Sequence, residues 1–283
     1  MNIQQIAVVG AGAMGNGITQ VCAASGYRVT MIDIYPQALE KGLATIQKSL
    51  GKLAEKGRIT AEQRSAALEA IATSGDLAAA AGADLVIEAA TENPDLKLKV
   101  FRELDSLTRP EIILASNTSS ISLTKIGAAT KRPDKVVGMH FFNPVPLMTL
   151  VEVVRGLGTS AETVAATVDL SQKLGKTPIE VNDSPGFISN RILCPMINEA
   201  IYALMEGVGT REAIDGVMKL GMNHPMGPLT LADMVGLDVV LFVMEVLHRD
   251  LGEDKYRPCP LLVRMVDAGY LGRKSGRGFY HYS

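Results

Sequence analysis

The chain has 283 residues, 47% of them hydrophobic and 20% charged, and a net charge of −2. That composition is typical of a folded globular protein, the length favours two domains, and the near-balance of charges excludes the basic surface that a nucleic-acid partner requires. The three cysteines are widely separated and have neither disulfide nor metal-ligand spacing, which predicts a protein of a reducing compartment without a metal site. The sequence has no long apolar run, so no membrane segment is predicted and the expected location is the cytoplasm.

The chain opens with a predicted strand, Ile3 to Val9, which runs directly into the glycine motif Gly10-Ala11-Gly12-Ala13-Met14-Gly15 and a helical segment. A glycine motif in this context predicts a dinucleotide site. Its glycines allow a tight turn, a close approach of the backbone to a pyrophosphate, and close packing of helix on strand. The N–H groups at the start of the helix would then face the phosphates.

Asp33 lies near the end of the second predicted strand, Arg28 to Ile34, and 23 residues after Gly10. An acidic residue at this spacing is placed to accept hydrogen bonds from the adenosine ribose hydroxyls. Its charge would repel a 2′-phosphate, so the predicted cofactor is NAD rather than NADP.

The segment from Pro36 to Lys56 has the spacing of a long helix with one apolar stripe. Its other side carries four lysines, with Ser49 among them. The ordinary interpretation is a solvated helix face. The alternative is a site for phosphate groups of a substrate, and the residues alone leave both open.

Polar residues follow the next predicted strands, Asp84 to Ala89 and Ile112 to Ser116. Glu92 and Lys97 come after the first, and the run from Asn117 to Ser120 comes after the second. Ligands of doubly wound sheets bind beyond the carboxyl ends of the strands, so these residues are expected near the cofactor. Otherwise they would be helix caps, a helix-start carboxylate and a surface lysine.

His140 alone among the four histidines ends a predicted parallel strand, Val136 to His140. An imidazole there suits the removal of a hydroxyl proton, because its pKa lies near neutrality. Glu152 lies in the apolar strand Leu150 to Val154, where an unpaired charge is costly. A carboxylate on the second ring nitrogen would fix the tautomer. The sequence leaves open whether the two side chains meet, and whether His140 is catalytic or a buried structural histidine.

The fold predicted from these elements is α/β, a Rossmann-type mostly parallel sheet domain followed by a smaller all-α domain. A last strand, Thr177 to Val181, precedes a linker rich in helix breakers. We place the NAD-binding domain at residues 1–184 and the helical domain at residues 185–283. Helical spacing in the second domain covers Phe187–Glu206, Thr210–Lys219, Leu229–Asp250 and Pro260–Ala268.

Taken together, these motifs resemble those of the L-3-hydroxyacyl-CoA dehydrogenases, in family order and over essentially the whole chain. The matching segments are VVGAGAMGNGI, IEAATEN, ASNTSSIS, GMHFFNPVPLMTLVEVV, NDSPGFISNRIL, HPMGPLTLADMVGLD and LGRKSGRGFY. The histidine and linker segments are far more specific than the glycine motif. The resemblance implies NAD-dependent interconversion of L-3-hydroxyacyl-CoA, of short acyl chain, and 3-ketoacyl-CoA.

The resemblance also implies individual roles. His140 would be the general base and Glu152 its partner, while Ser119 and Asn190 would hydrogen-bond the substrate. Cofactor contacts would come from the glycine motif together with Asp33, Glu92, Lys97, Asn117 and Lys274. Substrate and coenzyme A contacts would come from Ser49, Lys56, Ser119 and Asn143. The helical domain would complete the substrate cleft and form a homodimer.

Two other functions remain open on the sequence. One is a related NAD-dependent dehydrogenase of a free hydroxy acid or sugar acid, which would share the base and cofactor but not use the lysine face. The other is a non-catalytic, crystallin-like NAD-binding protein. The intact set of His140, Glu152, Ser119 and Asn190 argues against the latter.

Overall fold

A computed structural model describes residues 3–282 of the chain, which divides into two compact units between Asp183 and Ser184. The first unit is built on one sheet. Its strands within the described residues are β1 (Gln5–Val9), β2 (Arg28–Ile32), β3 (Ile71–Ser74), β4 (Leu85–Glu88), β5 (Ile113–Ser116), β6 (Val136–Phe141), β7 (Leu150–Arg155) and β8 (Thr177–Asn182). Their order across the sheet is β3-β2-β1-β4-β5-β6-β7-β8.

All neighbouring strands pair in parallel except β6 and β7. That pair is antiparallel because the connection between Phe141 and Leu150 is too short for the crossover that parallel neighbours need. The central strands β4 and β5 are buried along their whole length, as expected for a sheet covered on both faces. The edge at which β1, β4, β5 and β6 end is called the carboxyl edge below.

The helices of the first unit are α1 (Ala13–Ala24), α2 (Pro36–Glu55), α3 (Ala61–Glu69), α4 (Pro94–Leu107), α5 (Leu123–Ala128) and α6 (Ala161–Lys173). Helix α2 buries Leu39, Ile46 and Leu50 in the main core, which places its lysines on the exposed side. No element was predicted from the sequence over α3, β3, α5 or α6. Because Ala67 is the only residue of α3 that is buried, the helix has no apolar stripe to detect.

The second unit is helical, and its helices are α7 (Ser189–Met205), α8 (Arg211–Gly221), α9 (Pro228–Val235), α10 (Leu237–Leu251) and α11 (Pro260–Asp267). The single helix expected over residues 229–250 is wrong, because Gly236 breaks it with a φ of 104°. The helical spacing of apolar residues continues across the break, because Leu229 and Leu237 on its two sides are buried in the same core. The predicted fold class is confirmed.

A buried aspartate fastens the end of the chain to the second unit. Asp233 accepts hydrogen bonds from the backbone N–H groups of Phe279 and Tyr280, at 2.9 Å each, and from the Tyr282 hydroxyl at 3.0 Å. Its charge is therefore well solvated by protein donors although the residue has no exposed surface.

The cysteines at positions 22, 194 and 259 are all buried and free. Burial raises the pKa of the Cys22 and Cys194 thiols to about 12, which keeps both protonated at neutral pH. Within residues 3–282, no helix is long and apolar enough to cross a membrane. The same residues contain no cluster of three or more histidine, cysteine or acidic side chains that could hold a metal ion.

Candidate active site

His140 and Glu152 form a buried pair at the carboxyl edge. They stand directly opposite each other in the antiparallel pairing of β6 and β7, so their side chains leave the sheet on the same face. Nδ1 of His140 lies 2.7 Å from Oε2 of Glu152. The relative exposure of the two residues is 7% and 3%. The structure thus brings together the two residues whose contact the sequence left open.

This pairing determines which ring nitrogen can act as a base. The Glu152 carboxylate is an acceptor, so Nδ1 of His140 carries the proton and the lone pair of the neutral ring is on Nε2. If Nε2 accepts a proton, the ring becomes an imidazolium, and the adjacent carboxylate stabilises its positive charge. The ring of Phe142 packs against the imidazole with a centroid separation of 4.6 Å.

Hydrogen bonds also join the polar residues that follow β4 and β5 to each other and to the end of β6. Oδ1 of Asn117 accepts from the backbone N–H of Phe141, the residue after His140, at 2.9 Å. Oε1 of Glu92 accepts from the backbone N–H of Ser119 at 2.9 Å. The ends of β4, β5 and β6 therefore form one polar surface that includes the predicted positions 92, 117, 119 and 140.

Lys97 is buried, which excludes the interpretation of a surface lysine. Its Nζ lies 2.5 Å from Oε2 of Glu88, and its side chain is 2% exposed. The same carboxylate accepts from Ser116 Oγ at 2.8 Å and from the backbone N–H of Ala90 at 2.9 Å. This charged cluster joins the last residues of β4 and β5 at the carboxyl edge.

The glycine motif has the geometry that a dinucleotide requires. Gly10 has a φ of 107°, and a Cβ there would lie 2.6 Å from the Ala89 carbonyl oxygen. A Cβ on Gly12 would meet nothing within 4 Å, so this part of the turn faces open space. Gly12 is the N-cap of α1 and has no side chain that could accept a hydrogen bond from the start of the helix. The first N–H groups of the helix therefore remain available to an anion.

Asp33 is fixed beside this turn. Its Oδ2 accepts from the backbone N–H of Ala11 at 2.8 Å, and its Oδ1 accepts from that of Tyr35 at 3.0 Å. Each carboxylate oxygen can accept a further hydrogen bond, so the ribose hydroxyls of a dinucleotide can be bound as well. The residues present therefore fit a bound NAD.

A groove of about 880 Å³ runs from the glycine motif along the lysine side of α2. Cationic residues line it at Lys41, Lys52, Lys56 and Arg58, and Ser49 lies among them. The loop from Asn143 to Leu147 forms another wall. The groove has the charge and the size for a phosphorylated ligand, which favours the second interpretation of the lysine face.

Two predicted site residues belong to the helical unit. Asn190 lies in the first turn of α7, and its backbone N–H donates to the Gly186 carbonyl at 3.1 Å. Nζ of Lys274 donates to Oδ2 of Asp238 at 2.6 Å. Their roles toward substrate and cofactor stay predictions.

Sequence reasoning missed Glu88 and Lys176. Glu88 ends the otherwise apolar strand β4, and the cost of a buried charge there predicts a partner, as it did for Glu152. Lys176 gave no such signal, because it lies just after a helix, where a lysine is ordinary.

A mostly parallel sheet whose carboxyl edge carries a dinucleotide-binding turn and a histidine–carboxylate pair is typical of a Rossmann-type dehydrogenase. A family model described as 3-hydroxyacyl-CoA dehydrogenase, NAD binding domain, matches residues 5–184, and a model of the C-terminal domain of the same enzymes matches residues 186–282. The chain belongs to the 3-hydroxyacyl-CoA dehydrogenase family.

Individual relatives match along the full chain. A probable 3-hydroxybutyryl-CoA dehydrogenase of Bacillus subtilis is 57% identical and covers 100% of this chain and 98% of its own. Another from Deinococcus radiodurans is 58% identical, covering 97% and 99%. The crystal structure of an (S)-3-hydroxybutyryl-CoA dehydrogenase from Ralstonia eutropha has a TM-score of 0.97, with 55% identity and complete coverage of both chains.

Proposed function

We propose that the protein is an NAD-dependent dehydrogenase that interconverts L-3-hydroxyacyl-CoA and 3-ketoacyl-CoA. The preferred pair is 3-hydroxybutyryl-CoA, which the names of two similar relatives print as the substrate, and its 3-keto counterpart acetoacetyl-CoA. The observation that carries the proposal is the 2.7 Å contact between His140 and Glu152 at the carboxyl edge of a dinucleotide-binding sheet.

In the oxidative direction, Nε2 of His140 accepts the proton of the substrate hydroxyl group. Glu152 holds the ring in the required tautomer and stabilises the imidazolium that forms. In the reverse direction, the same nitrogen returns the proton to the ketone oxygen. Bound NAD supplies the acceptor for the hydride that leaves C3 of the substrate.

The glycine motif and Asp33 are the proposed binding site of the adenosine diphosphate half of NAD. The negative charge of Asp33 beside the ribose position disfavours NADP. Glu92, Lys97, Asn117 and Lys274 complete the proposed cofactor contacts. The match of residues 5–184 to an NAD binding domain supports a cofactor site in the first unit.

Ser119 and Asn190 are proposed to hydrogen-bond the substrate at its reacting oxygen and acyl carbonyl. The coenzyme A part would occupy the groove along α2, with contacts from Ser49, Lys56 and Asn143. The cationic side chains in this groove match the phosphate groups of coenzyme A. Binding this part of the substrate would position C3 for the reaction.

The direct test is the oxidation of NADH with acetoacetyl-CoA, followed at the absorbance of NADH and compared with NADPH. We expect turnover with NADH and a kcat/KM at least about 10-fold lower with NADPH, because the Asp33 carboxylate repels the 2′-phosphate and a repulsion of about 1.4 kcal/mol is enough for that ratio. A wild-type protein that turns over neither cofactor would overturn the proposed function. Equal use of both would overturn only the assignment of Asp33.

Lys56→Ala distinguishes a coenzyme A substrate from a free hydroxy acid or sugar acid. Lys56 lies in the groove and is exposed, so its contact is worth about 0.5–1 kcal/mol, or a two- to five-fold rise in KM for acetoacetyl-CoA at unchanged kcat. Lys48→Ala is the matched control, because Lys48 is exposed on the same helix but is not one of the residues that line the groove. An unchanged KM in Lys56→Ala would favour the free-acid alternative.

We also propose that the protein works in the cytoplasm as a homodimer, associated through the helical unit. Several large apolar side chains of this unit are exposed, and a dimer interface would cover such a surface: Ile192, Val208, Val217, Leu220, Met222 and Met234. Light scattering on the purified protein is expected to give the mass of two chains. A single-chain mass across the micromolar range would contradict the dimer.

A further inference from the structure

The loop at residues 142–149 joins β6 to β7, the two strands that carry His140 and Glu152. Part of it, from Asn143 to Leu147, lines the groove opposite the cationic face of α2. The loop contains one turn, in which the backbone N–H groups of Leu147 and Met148 donate to the Pro144 carbonyl at 2.9 and 3.0 Å. Its outer residues Asn143, Leu147 and Met148 are exposed, so the groove wall needs support from elsewhere.

Lys176 supplies that support from the far side of the loop. Its Nζ donates to the carbonyl oxygens of Val145, at 2.5 Å, and Met148, at 2.7 Å. Partial burial lowers the pKa of Lys176, which indicates that the side chain has given up part of its hydration for these two acceptors. Lys176 itself is not among the residues that line the groove.

The backbone of Lys176 is fixed on both sides. Gly175 ends α6 in the left-handed conformation, with a φ of 70°, and the Lys176 N–H donates back to the Ser171 carbonyl at 3.0 Å. The next residue, Thr177, starts β8 by donating to the Thr149 carbonyl at 2.7 Å. Lys176 therefore reaches the loop from a rigid anchor rather than from a mobile surface.

The loop is held from the other side by α1. Val145 is 1% exposed, and a Cβ added to Gly17 of α1 would lie 2.8 Å from the Val145 Cβ. The wall of the groove is thus clamped between Gly17 and Lys176. The contacts of Lys176 are hydrogen bonds, which water could replace, whereas the contact between Gly17 and Val145 is van der Waals packing.

We propose that Lys176 is a positioning residue for substrate binding, which acts by tethering the 142–149 loop as a wall of the groove. This inference rests on the proposed function for its kinetic consequence and on the structure alone for the tether. Lys176 donates to the loop carbonyls of Val145 and Met148, whereas the His140–Glu152 pair is aligned by the cross-strand register of β6 and β7. Loss of the tether should therefore weaken substrate binding and leave the chemical step intact.

The test compares Lys176→Met with Lys176→Arg and with Lys173→Met. Methionine keeps the length and flexibility of the side chain but cannot donate to the two carbonyls. Arginine keeps the charge and several donors, so it should restore part of the tether. Lys173 is the matched control, because it lies three residues earlier at the end of α6 and its ion pair is with the exposed Asp169.

Two measurements are made on each variant. In hydrogen–deuterium exchange without ligands, we expect faster exchange at residues 142–149 in Lys176→Met, and wild-type exchange there in Lys173→Met. In steady-state assays we expect the KM for acetoacetyl-CoA to rise about 10-fold in Lys176→Met, with kcat and the KM for NADH within about two-fold of wild type. Lys176→Arg should recover at least half of the change in both measurements.

Unchanged exchange of the loop in Lys176→Met would overturn the tether, whatever the activity. Faster exchange with an unchanged KM would overturn the positioning role. A parallel loss of kcat, cofactor affinity and global exchange protection would indicate general destabilisation and also overturn it. If the wild-type protein does not reduce acetoacetyl-CoA, the proposed function and with it the kinetic role fail, whereas the exchange measurement still decides the tether.

Discussion

His140→Ala is expected to lower kcat for acetoacetyl-CoA reduction by about 10²–10⁴-fold, the usual range for the loss of a general acid or base. The reason is that Nε2 of His140, oriented by Glu152 at 2.7 Å, is the group that we propose to transfer the hydroxyl proton. The KM for NADH should change little, because the glycine motif and Asp33 are not altered. Stopped-flow or steady-state measurement of NADH oxidation provides the check.

His248→Ala is the matched control for this variant. His248 also faces an acidic residue, with its Nε2 3.8 Å from Oδ1 of Asp254, but its side chain is 40% exposed and lies in the helical unit. Its replacement should leave kcat within about two-fold of wild type, as is usual for surface substitutions. A His140→Ala protein that turns over at the wild-type rate would refute the assigned base.

Glu152→Gln tests two effects of Glu152 separately, the orientation of the imidazole ring and the negative charge beside it. Glutamine keeps the size of the side chain, but its amide carries no negative charge to stabilise the imidazolium. We expect kcat to fall at least about 10-fold, and we expect the protein to keep its fold because the amide can still satisfy Nδ1 of His140. A wild-type kcat in this variant would mean that Glu152 has only a structural role.

The sheet and the cofactor turn could be predicted because each rests on local sequence. Strands buried on both faces read as short apolar runs, and the glycine motif lies directly between the first strand and its helix. Since parallel strands end at one edge, residues after β4, β5 and β6 could be grouped without knowing their contacts. This reasoning placed Glu92, Ser119 and His140 on one edge correctly.

The contact of His140 with Glu152 could not be predicted in the same way. It depends on the register of β6 against β7, and a shift by one residue would turn Glu152 to the opposite face of the sheet. The irregular connection between Phe141 and Leu150 gives no sequence signal for this register. The break at Gly236 was missed for a related reason, since apolar spacing reports burial and not the backbone angle of one glycine.

Lys97→Met is expected to lower the free energy of unfolding by about 3–5 kcal/mol, the usual cost of removing one partner of a buried ion pair. Nζ of Lys97 lies 2.5 Å from Oε2 of Glu88, and the side chains are only 2% and 1% exposed. Without the ammonium group, the Glu88 carboxylate keeps two neutral donors, Ser116 Oγ and the Ala90 N–H, but no opposite charge. Urea denaturation followed by circular dichroism, without cofactor, measures the loss.

The double variant Glu88→Gln/Lys97→Met tests whether the uncompensated charge is the cause. Glutamine can still accept from Ser116 and Ala90 and brings no charge into the sheet, so we expect the double variant to recover at least half of the lost stability. Lys173→Met removes an exposed lysine that also pairs with a carboxylate, at 2.7 Å from Asp169, and should leave the free energy of unfolding close to that of the wild type. A double variant as unstable as Lys97→Met would show that the uncompensated charge of Glu88 is not the cause of the lost stability. The stabilising part of the contact would then be the hydrogen bond that the ammonium group donates, and a cofactor contact of that group would have to be tested separately by NADH titration.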